Sequence, residues 1–308
     1  MPGAKTHEIA YKQIKEKLNN KTLSGFPNYN EYNIFSQGHD LLIYYQYYFP
    51  LKLKQNIIDS VKLQENSLPE FVFNYMDIAK SNGALEEEAT RIFIGSGYVT
   101  HHIVDMYIHP LLIYYSKDHT PNKNNATWQH GIIETLIDVY MMERFENKNP
   151  ATYKIYKDFE FKKQVSQRFI DTLNKSFEKT YNMANIGSKF KISLYQTKSY
   201  IQIVKYDPKG FKKKLFDCLD KYFMGTSSFS YHVNSLEALN YLNIENKLWS
   251  NSSNSTLTST ESFMDLYNKA LDESSYIIDK LEELACKGVF NRDDIYSLVP
   301  NKSSVTGL

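Results

Sequence analysis

Cysteine is scarce in this chain. Two residues, Cys218 and Cys286, are too few for a disulfide framework, although they leave room for one bridge. Long apolar runs are missing too: the best, Leu41-Leu42-Ile43-Tyr44-Tyr45, falls far short of the roughly 18–20 residues that cross a bilayer. The opening MPGAKTHEIAYKQIKEKL is polar and lacks the apolar centre of a secretory signal. Together these absences give the expectation of a soluble, cytoplasmic protein without a transmembrane segment, secretion by another route remaining open. An excess of charge of either sign is also lacking. Lys and Arg number 36 against 35 Asp and Glu, a net charge of +1, so nothing global draws the chain to nucleic acid or to an acidic surface. The local run Lys212-Lys213-Lys214 reads as a solvated helix face. There is no Gly-rich phosphate loop, no Cys-x-x-Cys pair and no Gly-x-Ser-x-Gly elbow, and Cys218 has no activating neighbour in sequence.

What is present is aromatic and helical. The 308 residues are 42% hydrophobic, enough for a sizeable core, and include 25 Tyr and 18 Phe. Apolar residues recur at helical spacing and no segment alternates as a strand does, which predicts an all-α, multi-helix fold. Ala10, Ile14 and Leu18 mark a helix over Thr6–Leu18 with Thr6 as its N-cap. A loop over 19–30 precedes a helical stretch from Asp40 to Tyr48 that stops at Pro50. Ser67 and Pro69 open a helix to Lys80. Ala84–Tyr115 reads as one long helical region, interrupted by Gly95 and Gly97 and kinked or ended by Pro110. A polar loop over 117–125 follows. Further helices are predicted over Thr127–Glu146, Tyr156–Tyr181 and Lys191–Tyr206, then from Asp207-Pro208 to Tyr222. Residues 224–259 read as irregular with one turn near 236–242, and Thr260–Lys287 as the last helix. No repeat or linker divides the chain, so one domain over 1–308 is expected, with a histidine-bearing half of about 1–150 and a helical wrap of about 151–308.

Seven of the eight histidines fall at or before residue 130. His101, Asp105 and His109 form a ladder at four-residue spacing, and His130 and Glu134 repeat that spacing. Residues four apart share a helix face, so each set can aim its donors at one point. Imidazole and carboxylate are the donors zinc accepts. Both sets sit among apolar neighbours such as Ile103, Val104, Ile133 and Ile137. Buried charges need partners or a cation. The competing reading is a buried His–carboxylate network without metal. Asp138, one turn beyond Glu134, is placed to orient a ligating ring or to lie on the helix surface. His102 points about 100° from His101 and falls outside the set. His39 and Asp40 are adjacent, so normally one of them faces inward. His119 sits in the polar loop.

GYVTHHIVDMYIHP (Gly97–Pro110) and HGIIETLID (His130–Asp138), with MPGAKTH, SQGHDLLIYY, YLNIENKLW and VTGL as looser matches, resemble the bacterial zinc-dependent phospholipases C. That all-helical fold is shared with single-strand-specific zinc nucleases. The resemblance covers most of the chain and is specific only in its His/Asp/Glu spacing. It implies clustered zinc ions, one to three here: one held by His109, His130 and Glu134, a second by Asp40, His101 and Asp105, and a third joined by His7 and bridged by Asp105. It also implies hydrolysis of a phospholipid or other phosphodiester, with Asp40 as general base or water-orienting group, and transient contact with a membrane surface. The pattern departs at one point. The family has another histidine between the positions of Asp40 and His101, and this chain has none between 41 and 100. Gln64 is the candidate for that place, a poor zinc ligand, and His39 is the substitute if the backbone lets it turn inward. Two other readings stay open on sequence alone: a catalytically impaired metal-binding relative that serves as a lipid- or protein-binding module, and a nuclease-type phosphodiesterase.

Overall fold

In a computed structural model, which describes residues 3–19, 23, 25–64, 67–118, 123–219 and 230–308, the chain is all-α apart from one small hairpin. Helix α1 (Ala4–Lys17) starts two residues before Thr6, so Thr6 lies in its first turn and is not the cap. Its leading turns are buried on nearly every side, from Lys5 to Tyr11. A helix start buried in this way needs acceptors for its free N–H groups. Asp138 supplies them: its carboxylate accepts from Lys5 N (3.1 Å), Thr6 N (2.8 Å), Thr6 Oγ1 (2.8 Å) and the Tyr231 hydroxyl (2.8 Å). Asp138 therefore neither orients a ring nor lies on the surface; it clasps the start of α1. Beside it the fully buried Lys5 Nζ meets Glu8 (2.7 Å), Glu146 (2.6 Å) and Asp158 (2.7 Å). Burial alone would lower the Lys5 pKa, and these three carboxylates outweigh it and raise it.

The segment expected as a loop and then a helix is a 3-10 run, Tyr29–Tyr44, kinked at Gly38. Pro50 does not stop a helix but begins one, α2 (Pro50–Lys62), using the first-turn position where its missing N–H costs nothing. Helix α3 (Leu68–Ser81) matches its prediction closely. The long region after Ala84 divides into α4 (Glu88–Ile92), a π-helical stretch (Phe93–Val99) and α5 (Thr100–Asp118). Gly97 is needed in the π stretch because the chain there runs against backbone: a Cβ on it would lie 2.9 Å from the Phe35 carbonyl oxygen. Pro110 sits inside α5 without ending it. Helix α6 (Lys123–Glu146) begins earlier than expected, and both ends of the expected loop are helical; the rest of it, with His119, lies outside the described residues.

Tyr156 opens no long helix. A 3-10 turn (Ile155–Phe159) and extended chain lead to α7 (Gln167–Tyr181), where Ser166 Oγ accepts from Phe169 N at 3.0 Å. Helix α8 (Ile186–Tyr200) ends in a π turn over Ile201–Lys205, and α9 (Phe211–Leu219) follows Gly210. The stretch read as irregular contains a 3-10 turn (Ser235–Asn240) and the antiparallel pair β1 (Trp249–Asn251) and β2 (Asn254–Ser259), too short and polar to show alternation. Helix α10 (Phe263–Lys287) opens on a Ser262/Asp265 capping box and is followed by an unexpected α11 (Arg292–Leu298). Cys218 and Cys286 are both free and exposed. No described helix is long and apolar enough to cross a membrane.

The buried apolar residues join both halves of the sequence, from Ile9 to Val299. Phe35 stacks on Phe169 (5.6 Å) and meets Phe93 edge-on (5.5 Å), while Tyr98 and Phe177 pack on Phe71. This aromatic block fixes the 3-10 run against the π stretch and α7. Removing the Asp138 clasp should cost far more than a surface change. Asp138→Ala leaves three α1 donors without an acceptor, and unfolding free energy should drop by about 3 kcal/mol. A urea midpoint equal to that of the parent protein would show that Asp138 does not hold α1.

Candidate metal centre

Four elements converge on one point: α1 brings His7, the 3-10 run brings His39 and Asp40, α5 brings His101, Asp105 and His109, and α6 brings His130 and Glu134. They form three triads, His39/Asp40/His101, His7/His101/Asp105 and His109/His130/Glu134, in each of which the donor atoms lie within 4.8 Å of one another. The first two share His101. All seven residues expected as ligands fall in these sets, joined by His39.

Asp105 lies at the middle. Its Oδ1 is 3.1 Å from His7 Nε2 and 3.9 Å from His109 Nε2, and its Oδ2 is 3.3 Å from His101 Nε2. Across His101, Asp40 Oδ2 stands 3.6 Å away, and its Oδ1 accepts from Ser60 Oγ at 2.9 Å. The outer triad contains His130 Nε2 and Glu134 Oε1 at 2.9 Å, with the His109 and His130 rings 5.4 Å apart.

Main-chain carbonyls decide which nitrogen of two rings is bare. His101 Nδ1 sits 2.9 Å from the Ser36 carbonyl, and His109 Nδ1 sits 2.6 Å from the Ser304 carbonyl. A carbonyl only accepts, so each Nδ1 carries the proton and each Nε2 is left as a lone-pair donor facing Asp105. His102 turns the other way, donating from Nε2 to the Lys302 carbonyl at 2.8 Å, and stays outside the triads as its position on the helix predicts.

The turn of His39 was the harder residue to foresee. Gly38 has φ +49°, a left-handed value that suits glycine, and a Cβ there would lie 2.6 Å from the His101 ring. The kink lets His39 and Asp40 both face inward, with their side chains 3.1 Å apart. The Gly-His-Asp sequence was the available signal. His39 thus stands third beside Asp40 and His101. Gln64 is held elsewhere through its main-chain carbonyl, which accepts from Ser304 N (2.9 Å) and Ser303 Oγ (3.1 Å). Ser36, Ser60 and Ser304 had no signal in the sequence, because two of them act through the backbone and Ser60 through a tertiary contact.

Electrostatics follow from burial. Desolvation holds the imidazoles neutral, with the pKa values of His7, His39 and His101 pushed down to about 3 and His102 to about 4. The same burial raises Asp105 to about 7, only partly offset by His101. Neutral imidazole is the ligating form. The Nε2 atoms of His39, His101 and His109, both nitrogens of His7 and both oxygens of Asp105 are buried and make no hydrogen bond. Buried polar atoms rarely remain so, and these converge on one another. The arrangement fits a divalent cation, and these clusters can hold a metal ion. A fourth acidic set, Glu8/Glu146/Asp158, does not fit one, because Lys5 already sits among its carboxylates. The inner triads are buried, whereas the His130 and Glu134 side chains are 19% and 17% exposed. The outer triad is thus the least buried part of the centre.

No protein-family model, no curated protein and no solved structure matches this chain.

Two outcomes test the site. Between about pH 6.5 and pH 4 the unfolded chain protonates histidines that the metal-free fold keeps neutral, so the fold loses stability as pH falls through that window. Asp105 acts oppositely between its ordinary 3.8 and about 7, because there the fold holds a proton that the unfolded chain has released. The more numerous imidazoles prevail. Urea titrations of metal-free protein should show a lower midpoint at pH 5 than at pH 7, and a flat profile would contradict the burial argument. Second, Gly38→Ala should lower metal content by displacing His101 and His39; retention of all metal, measured by elemental analysis, would show that the kink does not position them.

Proposed function

We propose that the protein is a zinc-dependent, phospholipase-C-like hydrolase of phosphodiesters. The observation that carries this reading is the continuity of three imidazole–carboxylate triads through Asp105, from a fully buried interior to a partly exposed outer set. Structural zinc sites are closed, whereas catalytic ones keep a position open to solvent or substrate. His109, His130 and Glu134 would hold the ion in that outer set, and His7, His39, Asp40, His101 and Asp105 would hold those behind it. Zinc bound there supplies Lewis-acid polarisation of a phosphoryl oxygen and lowers the pKa of water. The protein's own part is positional. The Ser36 and Ser304 carbonyls hold two rings with Nε2 bare, Asp105 bridges neighbouring sets, and Ser60 pins Asp40. Asp40 is assigned as general base or water-orienting group in addition to its place in the inner triad, with Oδ1 held by Ser60 and Oδ2 facing His101. The sequence resemblance to the zinc-dependent phospholipases C supports the same chemistry, and His39 offers the imidazole that the stretch 41–100 lacks.

Protein prepared in metal-free buffer and reloaded with zinc should bind more than one ion per chain and hydrolyse both phosphatidylcholine and a simple aryl phosphodiester. His109→Ala should lose metal and turnover together. Asp40→Asn should lower kcat by about 100-fold or more; unchanged turnover would remove Asp40 from the reaction. Zinc binding without hydrolysis of either substrate would overturn the enzyme reading in favour of a metal-stabilised binding protein.

A further inference from the structure

Helix α2 is inside out. Its buried side is polar, with Asn56, Asp59 and Ser60 facing the protein alongside Leu63. Each buried polar group is engaged: Asn56 Nδ2 donates to the Tyr45 carbonyl, Asp59 Oδ1 accepts from Gln55 at 2.8 Å, and Ser60 Oγ donates to Asp40. Its outer side is apolar. Leu51 is 85% exposed, Val61 52%, Ile57 45% and Ile58 43%. At 100° per residue these four fall on one stripe, together with Lys54 and Lys62. The stripe continues into Tyr48 and Phe49, both more than half exposed. A surface helix normally turns its apolar stripe to the core. Contiguous exposed apolar surface of this kind marks a place of contact.

Charge says what the contact is with. Lys52, Lys54 and Lys62 are the basic residues of the helix, and Asp59, its lone acid, turns inward toward Lys189 Nζ at 3.4 Å. The solvent side is therefore apolar and cationic with no exposed carboxylate of its own. A second exposed set of the same character is Ile203, Phe211 and Leu215, with Lys209 and Lys214 near them in sequence. Lys205, in the turn that follows α8, reaches Thr135 beside Glu134 at 3.2 Å. The apolar, basic surface of α2 lies on the helix whose inner side holds Asp40 through Ser60. Interfacial helices combine these features: apolar side chains that enter the acyl boundary and lysines that stay at the headgroups.

We propose that α2 docks the protein on a phospholipid bilayer carrying anionic headgroups. The proposal deepens the phosphodiesterase reading by making the substrate a lipid in a membrane, and for that part it rests on that reading. Docking itself is read separately from turnover. Full-length zinc-loaded protein should co-sediment with phosphatidylcholine vesicles containing phosphatidylserine and less with phosphatidylcholine alone. Leu51→Gln with Ile58→Gln should weaken binding by about tenfold for each side chain, while metal content and hydrolysis of the soluble aryl phosphodiester stay unchanged. Lys54→Glu with Lys62→Glu should remove the preference for anionic lipid. Leu257→Gln, an exposed apolar residue on β2, should change nothing. Failure of the parent protein to sediment with either vesicle, or undiminished binding by the Leu51/Ile58 variant, overturns the proposal. So does a dimer that this variant converts to monomer in the absence of any lipid binding, since a second copy then covers the face. Vesicle binding without hydrolysis of any phosphodiester leaves docking standing and sinks only the enzymatic reading.

Discussion

The architecture turns on one buried carboxylate. Both oxygens of Asp105 are cut off from water and hydrogen-bond to nothing, while imidazole nitrogens of His7, His101 and His109 face them at 3.1 to 3.9 Å. A carboxylate in such surroundings either takes up a proton, as its raised pKa indicates for the metal-free protein, or shares a cation with those nitrogens. The neighbouring rings cannot relieve it as imidazolium, because burial keeps them neutral as well. A group of neutral donors around a buried acid is stable only if the surrounding chain holds every member in place.

Most of the packing near the centre does that holding. Asp138 and the Lys5 network secure α1, and with it His7. The aromatic block of Phe35, Phe93 and Phe169 sets the 3-10 run against the π stretch, so that Ser36 meets the His101 ring. From the far end of the chain, residues 302–304 fold back across α5, and their carbonyls orient His102 and His109. The same segment reaches Gln64, so the position weighed as a substitute ligand takes part by holding the strap that orients a true member of the cluster. Helix α2 serves two sides at once, with Ser60 against Asp40 within and an apolar, basic face without.

Legibility in the sequence followed periodicity. The ladder on α5 and the pair on α6 were readable because four-residue spacing on an apolar helix is a local property. Helices α3 and α10 were readable for the same reason, each with a clear start signal. The 3-10 run was misread because its geometry depends on a glycine kink and on tertiary aromatic contacts, neither of which has a period. The helix α2 was missed because its apolar face points outward and its first residue is a proline, which reads as a stop when the chain is followed from the N-terminal side. The hairpin of β1 and β2 was missed because three- and six-residue polar strands do not alternate.

Residue chemistry and spacing by themselves determined that this chain is helical and that two of its helices each present metal-type donors on one face. Only the tertiary structure decided that those faces meet, that His7 and His39 complete the set, and which nitrogen of His101 and His109 is bare. The reason is physical: spacing along a helix fixes direction about its own axis, whereas the angle between helices, the inward turn at Gly38 and the carbonyls that set a tautomer arise from contacts between residues far apart in the chain.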